Sequence, residues 1–359
     1  MENPHSGAVE YAALMDLFSA RDAVATMIFV SLMFERGARK GGRLCNGSNR
    51  TIRGTMSTNH KYAGILTSVP TPFDRNGKFN APVLKKLIGN LIEADAGAIV
   101  PIGGTGEYIS LTFSERLKVV EASFDAAGGR CPVIPGIISA GINDAIENGK
   151  AYVEAGAKAI MIVTPYYYRP TQQGVLDYYK QISDHVDADI ILYEIPYRTG
   201  VSLHFETVDK LADMTRVVGI KACNPDLAQQ MRVAELAKDK MAILSGEEDV
   251  LPLHVAMGAV GGIISSSNLI PRQWKRVLQL AMNGHLKEAV ALHATFRPLI
   301  DALFAEPNPA PLKTALGLAG LDFGGVLAPL QNTSGPLAER LARVLPPLIA
   351  REAEFAPRA

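Results

Sequence analysis

Only three cysteines occur in 359 residues, Cys45, Cys131 and Cys223, with no CxxC pair and no spacing that suits a metal knuckle. That argues against a disulfide framework and makes a reducing compartment, the cytoplasm, the expectation. Charge imbalance is missing too. The 36 basic and 36 acidic residues cancel, so no global field recruits nucleic acid or an anionic membrane, and small molecules are the expected partners. Seven histidines include no pair at i, i+2 or i, i+4, which disfavours a bound metal and a metal-dependent reaction. The apolar stretch MIFVSLMF at 27–34 is too short to span a bilayer, and the ERGARKGGR after it has no small-residue cleavage site, so it reads as neither anchor nor signal peptide. There is no GxGxxG fingerprint and no P-loop lysine.

What is present begins after residue 60. The preceding CNGSNRTIRGTMSTNH is polar and aperiodic, so 1–60 is expected to be a poorly ordered extension, with Met56 an alternative translation start. From Tyr62 onward, apolar strand-like runs at 62–69, 97–103, 132–137, 159–165, 189–196, 216–222, 241–247 and 260–267 alternate with amphipathic helical stretches. Continuous apolar strands signal burial on both faces, and strict βα alternation signals a parallel sheet. Eight such units match a (β/α)8 TIM barrel over 61–284; a doubly wound open sheet is the structural alternative. The chain from 285 to 359 carries helical patterns and no strand, and is expected to be a C-terminal helical region.

In this arrangement Lys221 closes the sixth strand, on the rim where barrel active sites lie. A lysine among apolar neighbours loses hydration, its pKa falls, and the neutral amine becomes a nucleophile; a lysine snorkelling into solvent is the structural alternative. The same rim carries Tyr193 and Arg198 in LYEIPYRTG, a proton-shuttling phenol and a planar carboxylate clamp. Strand two ends in GGTGE (103–107), where Gly103, Gly104 and Gly106 let several backbone amides converge on a small anion beside the Thr105 hydroxyl. Strand four ends in TPYYYRP (164–170), whose three tyrosines reach the site mouth or make a plug or subunit contact. An anion nest beside an amine nucleophile suits a 2-oxo acid. The loops SGEED and SSSN after strands seven and eight lack the basic residues of a phosphate grip.

Taken together these strand ends resemble the dihydrodipicolinate synthase/N-acetylneuraminate lyase family of Schiff-base aldolases, from GILTSVPTPFDRNGKF to LFAEPNPAPLKTALGLAG. The branch pattern Tyr-Asn-Val-Pro-Ser-Arg-Thr-Gly is similar to Tyr193–Gly200 here. The resemblance implies that Lys221 forms an imine with pyruvate, that Tyr193 relays protons, and that the Gly104 and Thr105 amides, with Gly103 beside them, bind the pyruvate carboxylate. It further implies that Tyr167 completes the relay, in the family often by reaching into a neighbouring subunit, that Arg198 holds the carboxylate of an aldehyde, and that Ile264 lies against pyruvate. No cofactor beyond the covalent imine is implied, and a homo-oligomer, dimer or tetramer, is.

Four departures accompany the match. Gly104 stands where the synthases have a relay threonine, Glu194 replaces Asn, Tyr197 replaces Ser, and Ala222 replaces the Glu of IKEA. The form GGTGE resembles sugar-acid dehydratase relatives. The expected reaction is condensation of pyruvate with aspartate semialdehyde; aldol cleavage or dehydration of a 2-oxo-3-deoxy sugar acid is one alternative, and a non-catalytic metabolite-binding barrel another. The positions matching the family's lysine-effector histidine and asparagine are Phe113 and Ala140, so lysine feedback is expected to be weak.

Overall fold

The structure is a computed structural model and describes residues 60–355; of the extension expected over 1–60, all but His60 lies outside the described residues. Eight parallel strands run β1 Gly64–Ser68, β2 Ala98–Val100, β3 Gly136–Ile137, β4 Ala159–Val163, β5 Asp189–Glu194, β6 Val217–Ala222, β7 Ala242–Ser245 and β8 Gly261–Ile264. They lie in the order β2-β1-β8-β7-β6-β5-β4-β3. The open side between β2 and β3 is bridged by the parallel pair Ile99 and Val133, where Ile134 N–H donates to Ile99 O at 2.8 Å. The sheet is therefore closed on itself, a (β/α)8 barrel with no free edge.

Seven helices return the chain between strands, α1 Ala81–Glu93, α2 Phe113–Ala127, α3 Ile142–Glu154, α4 Gln172–His185, α5 Phe205–Ala212, α6 Leu227–Ala237 and α7 Leu251–Met257, and α8 Pro271–Met282 follows β8. Their boundaries are set locally. At α2, Glu115 N–H donates to Thr112 Oγ1 at 3.4 Å while Thr112 N–H donates to the Glu115 carboxylate at 2.9 Å, a reciprocal cap, and Gly128 at φ 54 ends the helix. The amphipathic α8 buries Trp274, Val277 and Leu278 against the barrel.

Four more helices follow, α9 Leu286–Ala294, α10 Arg297–Leu303, α11 Ala310–Leu318 and α12 Gly335–Glu352. The Glu352 carboxylate accepts Arg272 N–H at 2.6 Å, which fastens the end of α12 to the positive N-terminal end of α8. Between α10 and α12 the chain crosses the rim formed by the strand ends, bringing Asn308 and Lys313 to the loop after β2. Among the described residues no helix is long and apolar enough to cross a membrane.

Candidate active site at the strand ends

Lys221 lies on β6 directly beside Tyr193 of β5, its register partner, and its Nζ stands 4.4 Å from the centre of the Tyr193 ring. The residue is only 8% exposed. Burial pulls the amine's pKa down, opposed chiefly by Cys223 and the Glu247 carboxylate. Burial likewise pushes the Tyr193 phenol up, so it disfavours the charged form of both groups. The end of β7 makes room for them. A Cβ on Gly246 would lie 2.1 Å from Cys223 Sγ and 3.1 Å from Lys221 Cγ, so only glycine fits there.

The loop after β2 closes the other side. Its left-handed residues are Ile102 (φ 48) and Glu107 (φ 59) rather than its glycines; Gly106 is required instead by close approach, since a Cβ there would meet Ile102 Cα at 2.5 Å. Gly106 N–H and Glu107 N–H bond back to Gly103 O and Gly104 O. Among the described residues neither the Gly104 nor the Thr105 amide donates to a protein acceptor, which leaves two adjacent N–H groups for an anion. Thr105 Oγ1 meets Ser265 Oγ at 3.0 Å and accepts from Asn308 Nδ2 at 2.9 Å. Ser265 is fixed in turn by Glu248, whose buried carboxylate accepts the Ser265 and Ser266 amides at 2.6 and 2.9 Å.

These groups line a small cavity of about 50 Å³ around Lys221. Gly104, Tyr193, Arg198 and Asn308 also line a larger cavity of about 290 Å³, with a largely apolar wall that includes Ile138 and Val163. A compact two- or three-carbon acid suits the first space and a longer partner the second. Arg198 is exposed, forms no ion pair among the described residues, and its Nη1 lies 3.5 Å from where a Cβ on Gly104 would be.

Lys221, Tyr193, Gly103, Gly104, Thr105 and Arg198 are thus brought to one rim. Two expectations fall elsewhere. The wall on β8 is Ile263, because alternate residues of a strand point to opposite faces; Ile264 is completely buried and its Cδ1 points to the Gly262 and Leu251 side, towards the helix layer. Tyr167 is 84% exposed at φ 73, packed edge-to-face on Tyr168, and does not line either cavity. The tyrosine of that loop on the larger cavity is Tyr166, whose hydroxyl donates to Ile138 O at 3.0 Å. Glu194, at the Asn position, faces away from the cavity and accepts Leu203 N–H and Asn224 Nδ2, each at 2.9 Å.

Residues 61–346 match the model of the dihydrodipicolinate synthetase family. The chain belongs to that family. Among its relatives in the family, the 4-hydroxy-tetrahydrodipicolinate synthase of Syntrophus aciditrophicus is 39% identical over 285 residues, which is 79% of this chain and 97% of the relative. The corresponding synthase of Thermodesulfovibrio yellowstonii is 36% identical over 284 residues, with 79% and 97% covered. The crystal structure of dihydrodipicolinate synthase from Thermotoga maritima aligns with a TM-score of 0.78 at 34% identity, over 80% of this chain and 99% of that one. The chloride-inhibited dihydrodipicolinate synthase from Acinetobacter baumannii, solved with pyruvate, aligns with a TM-score of 0.77 at 32% identity over 82% and 99%. Sequence reasoning gave no role to Ser265, Glu248, Asn308 or the buried Glu107–Lys313 pair, which the geometry brings to the site.

Proposed function

We propose that this chain condenses pyruvate with aspartate semialdehyde through an imine on Lys221, as a 4-hydroxy-tetrahydrodipicolinate synthase with no organic cofactor and no metal. The observation that carries the reading is the buried Lys221 amine, its pKa lowered by desolvation, over the Tyr193 ring and beside the two unengaged amides of Gly104 and Thr105.

The pyruvate carboxylate sits on those amides and its ketone carbon faces Nζ. The amine adds to the carbonyl, the carbonyl oxygen leaves as water, and a protonated imine remains. Its positive nitrogen draws electrons from the adjacent methyl, which gives up a proton to become an enamine carbon. That carbon attacks the aldehyde, and the aldehyde oxygen takes a proton to become the hydroxyl of the product. The aldehyde's own amino group then adds to the imine carbon, closing the ring and expelling the Lys221 amine unchanged. Tyr193 is the proton carrier at the imine and Arg198 the clamp for the aldehyde's carboxylate. Ile263, not Ile264, supplies the apolar wall.

A second reading has its own observation. The absent side chain at Gly104 lies within reach of Arg198, and this space suits a hydroxyl of a 2-oxo-3-deoxy sugar acid undergoing cleavage or dehydration. A substrate panel of aspartate semialdehyde plus pyruvate against several such sugar acids decides between them. Turnover of sugar acids alone refutes the synthase assignment and keeps the imine; turnover of neither supports a non-catalytic barrel. The exposed Tyr167 and Ile109, 84% and 71% exposed, favour a homo-oligomer in which Tyr167 serves a neighbouring copy's site. The barrel at 61–284, the helical region at 285–359 and residence in the cytoplasm complete the proposal.

A further inference from the structure

A third cavity, of about 250 Å³, lies beside the Lys221 site at the same rim, between the loops after β6 and β7. Tyr197 and Cys223 line both, so they form the partition. The far side is built from Glu247, His254 and Asp249 with the apolar Leu227 and Val250. The reaction proposed above uses none of these groups.

The hydrogen bonds fix what the cavity presents. Ser245 Oγ lies 3.0 Å from Glu247 O, which can only accept, so the hydroxyl proton points there. The same oxygen must then accept from His254 Nδ1 at 2.7 Å. His254 therefore carries its proton on Nδ1 and offers a bare lone pair at Nε2. The residue is 4% exposed, and Nε2 is a buried nitrogen without a partner among the described residues. Burial lowers its pKa to about 4, so protonation does not satisfy it. The second acceptor is the Glu247 carboxylate, which takes the Tyr197 hydroxyl at 2.9 Å and the Cys223 thiol and keeps further lone pairs. Asp249 is already engaged by Arg297. The cavity is thus lined by an imidazole with an unpartnered nitrogen and by a carboxylate, with apolar surface between them. Among the described residues no three His, Cys, Asp or Glu side chains converge as a metal would require.

We propose that this cavity is a binding site for a small primary ammonium compound, its charged head on Glu247 and His254 and its short apolar chain along Leu227 and Val250. An ammonium supplies the three donors that these acceptors lack, and the charge that balances Glu247. Glu247 also acts on the Lys221 amine, but the two claims have separate readouts: trapping of pyruvate on Lys221 tests the imine, binding of the ammonium tests this cavity, and either can fail alone.

The test uses the full chain and n-butylammonium chloride as the probe, with n-butanol and sodium butyrate as matched controls at equal ionic strength. Calorimetry is expected to give saturable binding of the ammonium and none of the controls. In protein carrying ¹⁵N-labelled histidine, the Nε2 resonance of His254 is expected to shift as the site fills. Glu247→Gln should weaken binding about tenfold or more, the loss of one charge-assisted contact. Should that variant not fold, Tyr197→Phe, a change at a 60% exposed position, frees the carboxylate and should tighten binding. No saturable heat, equal binding of butanol, an unmoved His254 resonance, or unchanged affinity in the folded variants would each overturn the proposal.

Discussion

Lys313→Met is the most exacting perturbation that the fold suggests. Lys313 on α11 pairs with Glu107 Oε1 at 2.5 Å, with 2% and 0% of the two side chains exposed. Its Nζ also donates to Gly325 O at 2.8 Å and stands 4.1 Å from the Phe73 ring, while Glu107 Oε2 accepts Leu327 N–H at 2.7 Å. Methionine keeps the stem but leaves the carboxylate buried opposite a thioether. Breaking one side of a buried pair costs about 3–5 kcal/mol, and for a chain of this size that lowers Tm by roughly 4–8 °C. Adding Glu107→Gln removes the stranded charge, so the double variant should recover a large part of the loss although it has fewer polar contacts. Glu107 ends the GGTGE turn, so the single variant should also raise KM for pyruvate as the Gly104 and Thr105 amides lose their alignment. Thermal unfolding followed by circular dichroism, with steady-state kinetics below Tm, measures both. A Lys313→Met protein melting within about 1 °C of the wild type, or a double variant less stable than the single one, refutes the reasoning.

Borohydride with pyruvate should add mass to the peptide containing Lys221 and to no other, and Lys221→Arg should abolish it because a guanidinium stays protonated; labelling at another lysine removes the central residue. Lys221→Met should be inactive yet more stable. The buried amine's folded pKa lies below its unfolded value, so in the wild type stability falls as pH drops from the unfolded pKa towards the folded one. The gain from Lys221→Met is therefore present at pH 7 and shrinks as pH rises towards about 10.5, and denaturant titrations at the two pH values check it. Tyr193→Phe should slow turnover by about 10² to 10⁴ with little change in pyruvate binding; unchanged turnover excludes the phenol. Gly104→Thr places its Cβ in van der Waals contact with Arg198 Nη1, at 3.5 Å, so its Oγ1 and Cγ2 compete with the guanidinium for the same space. The KM for aspartate semialdehyde should rise while that for pyruvate holds, and equal changes in both would contradict the role of Arg198.

The eight strands were legible because each is an apolar run bounded by a loop, and all eight expected runs contain an observed strand. The same continuity hid which residues face inward: in a strand buried on both sides the period of two is silent, so Ile263 and Ile264 look alike in sequence and differ only in space. Lys221, Tyr193 and the GGTGE loop could be found because an amine in an apolar run and three glycines in four residues are locally unusual. Asn308 lies in the turn before α11 and Lys313 on α11, far along the chain, and only closure of the barrel brings them to Thr105 and Glu107. Tyr166 and Tyr167 are adjacent and chemically identical, and the left-handed backbone at Tyr167 separates their directions.

The hydrogen bond from Asn308 to Thr105 joins residues 203 apart in sequence. On a ribosome adding about 5–20 residues per second, Asn308 follows Thr105 by roughly 10–40 s. Lys313 follows five residues later. During that interval all eight strands have been synthesised, but the loop that presents the two amides is held neither by the amide of Asn308 nor by the ammonium of Lys313. A nascent barrel therefore carries its reactive lysine before it carries a firm carboxylate cradle, and the ability to capture a 2-oxo acid arrives late, with the last quarter of the polypeptide.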